Sequence, residues 1–293
     1  MWMLTQTGWV KWAQYLALAI CIGFGLAFVI ANVPSWELED SQAYWQAALR
    51  LRGGEPLYVP VNPAADEMIA FRYAPWFAWL WVPLTMLPKN AVLAAWSLLL
   101  LASAAGAILP LVRLRTVSAI CLAALLGGLL VRTASTGNVH VLMIAGLVYG
   151  APRRSGPIWI GIAASLKLAP IAYALLYLGR GEWRRAAAAF LVGAALLAPA
   201  LLYDLSGYPT DPGESLSLFS FAGPIPWAAV AVVCAAIAVG LARGRHAWAT
   251  ASVAVLAAIP RLLLYDLTYL LVGLGGPGRS NSSRPVTSRK VMS

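Results

Sequence analysis

Long apolar stretches alternate with short polar segments along almost the whole chain. Ten stretches carry few charged residues, and apolar stretches near 20 residues are typical of helices that cross a bilayer. Their approximate bounds are 12–31, 71–87, 91–112, 116–131, 138–150, 157–178, 184–203, 224–242, 247–260 and 262–275. The pattern predicts an all-α polytopic membrane protein with about nine to ten transmembrane or re-entrant helices.

Two of these stretches, 138–150 and 247–260, are short. A helix that stands upright in a bilayer needs at least about 17 residues. Short or broken helices are tolerated at membrane depth only where protein or a water-filled cavity surrounds them. The two stretches therefore predict a cavity inside the bundle.

Composition agrees with a membrane protein. Only 11% of the 293 residues are charged and 61% are hydrophobic, whereas soluble domains have roughly 25% charged residues. The first apolar stretch is longer than the core of a signal peptide, about 7–15 residues, which predicts an uncleaved first span. Cys21, Cys121 and Cys234 each lie in an apolar stretch, and His140 is far from His246. This pattern predicts neither disulfides nor a metal site.

The positive charges suggest an orientation. With the N-terminus inside and ten crossings, the inner loops receive most of the lysines and arginines, as expected for the cytoplasmic side. These are Lys11, Lys89, Arg132, Arg180, Arg184, Arg185, Arg243, Arg245 and four cations of the tail. Two pairs, Arg113/Arg115 and Arg153/Arg154, fall outside. Either they bind something anionic there, or a short segment is re-entrant and the number of crossings is wrong.

Two acidic loops lie outside in this arrangement. The loop at about 32–70 contains Glu37, Glu39, Asp40, Glu55, Asp66 and Glu67, and the loop at about 204–223 contains Asp204, Asp211 and Glu214. Residues 1–275 are expected to form one transmembrane domain, and residues 276–293 a disordered polar tail. The predicted location is a bacterial plasma membrane, with several spans and a cytoplasmic N-terminus.

A short amphipathic helix is predicted in the first outer loop. In the segment EDSQAYWQAALRLRGG, helical spacing puts Asp40, Tyr44, Ala47, Ala48 and Leu51 on one face. Gly53-Gly54 supplies a C-terminal stop. Asp40 then lies at the N-terminal tip of the helix. Its carboxylate is either an N-cap or dipole partner, or a general base or substrate ligand at the membrane surface.

Several short motifs occur in a characteristic order. They are Asp40, Tyr44, Ala48, Gly54 and Tyr58; then Phe71, Tyr73, Pro75, Pro83, Leu87 and Pro88; then Gly137-Asn138; then Gly161, Lys167 and Pro170; and finally Pro260, Tyr265 and Asp266. This order resembles that of the polyprenyl-phosphate-dependent glycosyltransferases of family 87, which are membrane enzymes of the GT-C type. Members of that family are usually longer, so the resemblance implies a C-terminally short relative.

The resemblance implies a reaction. A sugar, most commonly mannose, moves from a polyprenyl-phosphate carrier to a hydroxyl of a glycolipid or glycan acceptor on the outer face, with inversion. Membrane lipids and the lipid-linked sugar are the implied partners, without nucleic acid and without a cofactor. A phosphate leaving group needs no general acid, so one carboxylate is sufficient. The resemblance assigns that role to Asp40.

Three cations are candidates for holding the departing phosphate. Lys167 is the first, because a lysine inside an apolar span normally faces a cavity or a partner, although its long stem also permits snorkelling to an interface. Arg72 is either a second phosphate ligand or an ordinary interfacial cation. Arg261, together with Asp266, is a third candidate for binding the substrate; alternatively, the two form an internal ion pair.

Tyr44, Tyr58 and Tyr73 are expected either to contact the sugar or to belong to an aromatic belt at the headgroup level. Other functions also fit the pattern. A transporter or flippase of lipid-linked sugars would need short helices, buried cations and a cavity as well. An inactive truncated homologue and a non-enzymatic assembly partner are the remaining alternatives.

Overall fold

The structure, a computed structural model, describes residues 8–32, 36–60, 70–208 and 215–275. These residues form helices and connecting turns, without a β-strand among them. The α-helices are α1 (Gly8–Asn32), α2 (Glu39–Gly53), α3 (Pro75–Trp81), α4 (Lys89–Val112), α5 (Val117–Ser135), α6 (His140–Gly150), α7 (Gly156–Leu166), α8 (Leu175–Arg180), α9 (Trp183–Leu197), α10 (Leu218–Ala222), α11 (Pro224–Gly240), α12 (Ala247–Ala257) and α13 (Leu270–Gly275). Short 3₁₀ helices cover Pro83–Met86, Ala169–Ala174, Ala198–Leu202 and Leu264–Tyr269.

The helices confirm an all-α polytopic membrane protein. Four described helices are long and apolar enough to cross a bilayer, namely Gly8–Ala31, Lys89–Val112, Val117–Ser135 and Trp183–Leu202. Shorter apolar helices complete the bundle, and they include the two predicted short ones at His140–Gly150 and Ala247–Ala257. The predicted tail and the acids Asp66, Glu67, Asp211 and Glu214 lie outside the described residues.

Small residues bring the first span close to the fifth helix. A Cβ added to Gly25 of α1 would lie 2.7 Å from the carbonyl oxygen of Ala124 in α5, and one added to Gly128 would lie 3.5 Å from the carbonyl oxygen of Gly25. Glycine and alanine at such contacts let the backbones of membrane helices approach closely. A Cβ on Gly128 would also lie 3.6 Å from the ring of Phe28. Because Gly25 lies against Ala124 and Phe28 against Gly128, residue numbers rise together and α1 and α5 run in parallel.

The segment at 71–87 does not cross the bundle, so the ten apolar stretches do not make ten crossings. The helix α3 has seven residues and is followed by a 3₁₀ turn at Pro83–Met86. Next to that turn, Arg52 of α2 donates to the Thr85 side chain at 3.1 Å, and Lys89 donates to Gln42 of α2 at 3.3 Å. The segment therefore returns to the end of the bundle where it began, as the re-entrant alternative expects.

The stretch at 157–178 is also folded back on itself. The helix α7 ends at Leu166, and the chain turns at Lys167, whose backbone is extended (φ −143°, ψ 126°). It then returns through the 3₁₀ helix and α8, so that the Tyr177 hydroxyl donates to the carbonyl of Ala151 at 3.2 Å, just before α7 begins. Lys167 thus lies at the tip of a helical hairpin, not in the middle of a span.

These two corrections define the ends of the bundle. The cavity end contains α2 and residues 135–140, because Leu38 N–H donates to the Ser135 carbonyl at 3.1 Å. The opposite end, called the arginine end, contains the turns at 113–116, 151–156, 180–185 and 242–246. Hydrogen bonds join three of these turns, since Arg185 donates to the Arg153 carbonyl and Arg180 to the Ala242 carbonyl, each at 2.8 Å. The turn at 113–116 lies at this end because it follows α4, which begins at the cavity end.

The positive charges are redistributed accordingly. Arg113/Arg115 and Arg153/Arg154 lie at the arginine end, whereas Lys89 and Arg132 lie at the cavity end. The described cations of the arginine end are Lys11, Arg113, Arg115, Arg153, Arg154, Arg180, Arg184, Arg185, Arg243 and Arg245. Glu182 is the acid found there among the described residues. The pairs that fitted poorly therefore join the other arginines once 71–87 is re-entrant.

Candidate active site

The predicted helix in the first loop is confirmed as α2. It begins at Glu39 after Leu38, whose backbone is left-handed (φ 54°), and its C-cap is Gly54, also left-handed (φ 72°). Tyr44, Ala47 and Ala48 of the predicted face are buried. The N-cap interpretation of Asp40 is wrong, because Leu38 holds the N-cap position without a side-chain cap and Asp40 is already in the helix. The position of Asp40 in the first turn agrees with the dipole-partner interpretation.

Close contact with the end of α5 positions Asp40. Its backbone N–H donates to the Thr136 carbonyl at 2.9 Å, and the Ser41 hydroxyl donates to the Gly137 carbonyl at 3.3 Å. Gly137 has a left-handed backbone (φ 77°), and an added Cβ would lie 1.7 Å from the Ser41 oxygen. Only glycine suits both the conformation and the space. This approach brings the carboxylate of Asp40 next to Asn138.

The Asp40 carboxylate lines a cavity and has a polar partner. The Nδ2 group of Asn138 donates to its Oδ2 at 3.0 Å. Burial raises the pKa of Asp40 above the ordinary value, while the hydrogen bonds from Asn138 and Thr136 and the nearby charges of Lys167 and Arg72 act in the opposite direction. A carboxylate with a raised pKa is a stronger base than one in water.

Lys167 is paired in the structure. From the tip of its hairpin, Nζ donates to the Tyr265 hydroxyl at 2.9 Å and to Asp266 Oδ1 at 3.3 Å. Asp266 is 1% exposed, and its Oδ2 accepts the backbone N–H of Leu263 at 2.9 Å. The lysine therefore faces an internal partner instead of snorkelling. The Arg261–Asp266 pair considered from the sequence is not formed, because Lys167 takes that place.

Three buried N–H groups along the cavity have no hydrogen-bond acceptor within the described part of the chain. They are the Nε groups of Arg72 and Arg261 and the Nε1 group of Trp227. Buried donors are nearly always paired in proteins, and an exception needs an explanation. Donors of this kind, two of them on cations, are suited to an anionic ligand such as a phosphate.

One cavity of about 1150 Å³ joins these groups. Seven predicted site residues line it, namely Asp40, Tyr58, Arg72, Tyr73, Lys167, Arg261 and Asp266. They come from the first loop, the start of α3, the hairpin tip and the segment after α12. Among the described residues, no group of three His, Cys, Asp or Glu side chains could hold a metal ion.

Tyr44 does not line the cavity. It is fully buried, with ring centroids 4.9 Å from Phe77 and 5.2 Å from Tyr73 in edge-on contacts. Its hydroxyl accepts the backbone N–H of Val139 at 3.2 Å. The two other tyrosines line the cavity and also bind protein groups: Tyr58 donates to the Tyr73 carbonyl at 2.8 Å, and Tyr73 donates to Asn138 Oδ1 at 3.3 Å.

Asn138 and Trp227 are cavity residues with polar groups at the site that sequence reasoning missed. Asn138 belongs to the Gly-Asn turn that carried part of the family resemblance, but the motif by itself indicated no partner. Trp227 follows two prolines at the start of α11, in a chain with thirteen tryptophans. No local signal distinguishes it from tryptophans at the membrane interface.

Comparison with known proteins identifies the family. A model of glycosyltransferase family 87 matches residues 71–259, which is more than half of the chain. The chain belongs to glycosyltransferase family 87. No curated protein and no solved structure matches it. The family match contains Arg72, Tyr73 and Lys167, whereas Asp40 lies before it and Arg261 after it. Family 87 membership supports a glycosyltransferase activity in general, with the cavity as its candidate active site.

Proposed function

We propose that this family 87 protein transfers a sugar from a polyprenyl-phosphate carrier to a hydroxyl group of a glycolipid or glycan, with inversion at the anomeric carbon. Mannose is the favoured sugar. The observation that carries the proposal is that the Asp40 carboxylate lines the same cavity as the guanidinium Nε groups of Arg72 and Arg261, which have no hydrogen-bond acceptor among the described residues. Distant segments supply these groups, which is expected for an assembled site.

Asp40 acts as the general base in this proposal. The acceptor oxygen attacks C1 of the sugar while its proton passes to the carboxylate. The bond between C1 and the phosphate oxygen breaks, and its electron pair leaves with the phosphate. Attack from the face opposite the leaving group inverts the configuration. One carboxylate is sufficient because the phosphate leaves as a stable anion, whereas glycoside hydrolysis generally uses two.

Arg72 and Arg261 are the proposed ligands of the departing phosphate, with Trp227 as a neutral third donor. Donors already aimed at the place where negative charge develops stabilise the transition state without reorganisation. Asp266, at 3.3 Å, offsets the positive charge of Lys167. Lys167 is therefore a weaker candidate for the phosphate ligand than the two arginines. Its proposed role is to complete the cavity wall and to add a partly neutralised positive field.

The cavity end is proposed to face outward. In the corrected arrangement the arginine end carries ten cations of the described chain, and cytoplasmic loops are enriched in lysine and arginine. Acids contribute little to orientation, but they lie mainly at the cavity end. A carrier with a long apolar tail reaches such a site from the outer leaflet, and the cavity has apolar walls at Leu166, Leu168 and Leu197.

Sugar transfer in membranes tests the proposal. Membranes containing the full chain are supplied with radiolabelled mannose on a short polyprenyl phosphate, and labelled products are measured for the wild type and Asp40→Asn. Loss of a general base is expected to lower the rate by about 10²–10⁴-fold. Glu55→Gln, a change of an exposed acid just after α2, is the matched control and should retain activity.

Two results would contradict this function. Full activity of Asp40→Asn would remove the base assignment. Movement of the labelled carrier across the membrane by the wild type, without any transfer of mannose, would instead support the transporter.

A further inference from the structure

The turn between α5 and α6 holds Asn138 in one place. The N–H of Gly137 donates to the Ala134 carbonyl at 2.9 Å, and the N–H of Asn138 donates to the Thr133 carbonyl at 3.2 Å. These two bonds close the end of α5 in a Schellman arrangement, with glycine in the left-handed position. Trp96 also donates to the Gly137 carbonyl at 2.9 Å. The backbone on which Asn138 stands is therefore fixed from several sides.

The side-chain amide of Asn138 has only one orientation that satisfies its neighbours. Its Oδ1 lies 2.8 Å from the backbone N–H of His140 and 3.3 Å from the Tyr73 hydroxyl. A backbone N–H can only donate, so the atom facing it must be the amide oxygen. A flipped amide would place two donors against each other. The Nδ2 group must then point toward Asp40, whose Oδ2 lies 3.0 Å away.

We infer that Asn138 is a positioning residue for Asp40, which holds one carboxylate oxygen with a permanently oriented N–H donor. The inference rests on the proposed function, because it explains how the proposed base is prepared for catalysis. Asn138 is 6% exposed, so water competes little for this hydrogen bond. A buried donor aimed at a carboxylate favours the charged form that can accept a proton.

Other groups also act on Asp40 and remain unchanged in the tests below. The titratable or charged groups of the surrounding elements are Glu39, Tyr44, Arg72, Tyr73, Arg132 and Lys167. Burial raises the pKa of Asp40, and the Asn138 hydrogen bond lowers it. Loss of the donor should therefore raise the pKa further and move the deprotonated, active form to higher pH.

Asn138→Asp is the sharpest variant. Aspartate has nearly the same size, and one of its oxygens can still accept from His140 N–H and Tyr73. The substitution replaces the N–H donor that faces Asp40 with a carboxylate oxygen, which accepts hydrogen bonds and carries the same charge as Asp40. Asn90→Asp is the matched control, since Asn90 is exposed in the first turn of α4. Asn138→Leu removes the donor without adding charge and serves as a second variant if Asn138→Asp does not fold.

The measurement does not depend on sugar transfer. A hydrophobic carbodiimide modifies protonated carboxyl groups, so the labelling of Asp40 in membranes is followed against pH by mass spectrometry. The midpoint should rise by about one to two pH units in Asn138→Leu, because a hydrogen bond to a charged group is worth about that much. It should rise further in Asn138→Asp, which also places a like charge next to Asp40. Asn90→Asp should keep the midpoint of the wild type.

The outcomes separate the inference from the proposed function. An unchanged midpoint in folded Asn138→Asp or Asn138→Leu would overturn the positioning role. A shifted midpoint in a protein whose wild type transfers no mannose would support the role of Asn138 and contradict the proposed reaction. In an active wild type, the acid limb of the pH–rate profile for kcat/KM, which reports the free enzyme as the labelling does, should move by the same amount as the midpoint, with KM for the carrier at the pH optimum unchanged. A lower rate without movement of that limb would indicate a merely structural residue.

Discussion

At the residue scale, the ammonium group of Lys167 and the carboxylate of Asp266 depend on each other. They are 3.3 Å apart, with side-chain exposures of 25% and 2%. A buried charge without a partner is costly, since its hydration is lost without compensation. A Lys167 variant therefore loses activity for two reasons. The cavity loses the lysine side chain, and the buried carboxylate of Asp266 loses the partner that stabilises it.

Replacement of Lys167 by methionine is expected to destabilise the protein by about 3 kcal/mol, because removal of one partner of a buried pair leaves the other uncompensated. The free energy of unfolding is compared in detergent by titration with denaturant, followed by tryptophan fluorescence. Lys89→Met is the control, since among the described residues Lys89 bonds to the neutral Gln42, at 3.3 Å, and to no carboxylate. The double variant Lys167→Met/Asp266→Leu should recover part of the loss. Equal effects of Lys167→Met and Lys89→Met would contradict a stabilising pair.

At the scale of elements, the contact between α2 and the end of α5 decides where the proposed base stands. Leu38, Asp40 and Ser41 each bond to backbone carbonyls of residues 135–137. The absence of a side chain at Gly137 makes this approach possible. Hydrophobic periodicity predicts both helices, but the distance between them depends on that single glycine.

Gly137→Ala is expected to displace the start of α2 and to lower both stability and transfer activity. Gly181→Ala is the matched control, because Gly181 has nearly the same backbone (φ 75°) but open space around an added Cβ. Gly181→Ala should lower the free energy of unfolding only by the cost of an alanine in the left-handed conformation, about 1 kcal/mol. Gly137→Ala should lower it by clearly more. Thermal unfolding in detergent and the mannose transfer assay check this. Similar losses in both variants would show that the contact with Ser41 is unimportant.

At the scale of the whole molecule, the path of the chain determines which loops share a side of the membrane. If 71–87 returns to the cavity end and 157–178 forms a hairpin, residue 154 lies opposite residue 55. In the ten-crossing arrangement both residues would lie on the same side. The two arrangements therefore differ at residues that a reagent can reach.

Cysteine labelling in whole cells distinguishes them. In a background without Cys21, Cys121 and Cys234, an impermeant maleimide should label Glu55→Cys from outside. Arg154→Cys should be labelled only after the membrane is permeabilised. Both positions are exposed in the structure. Labelling of both from outside would overturn the re-entrant path, and labelling of Arg154→Cys alone would reverse the proposed orientation.

The long helices and α2 were predictable because their signals are local. The apolar stretch at 91–112 became Lys89–Val112, and the loop helix became Glu39–Gly53 with its glycine stop. The re-entrant path of 71–87 was not predictable in the same way. An apolar segment of this length can form either a membrane span or a short broken helix packed on protein. Only the contacts with α2 distinguish these two structures.

The candidate site shows the same division. The sequence alone determined which residues carry the chemistry, because an acid at the start of a polar helix and cations among apolar residues are conspicuous in a chain with 11% charged residues. The tertiary structure decided their partners. It paired Lys167 with Asp266, left the Nε groups of Arg72 and Arg261 without acceptors, buried Tyr44, and placed the Asn138 amide against Asp40. Partners separated by about a hundred residues meet only through packing, which no local pattern records.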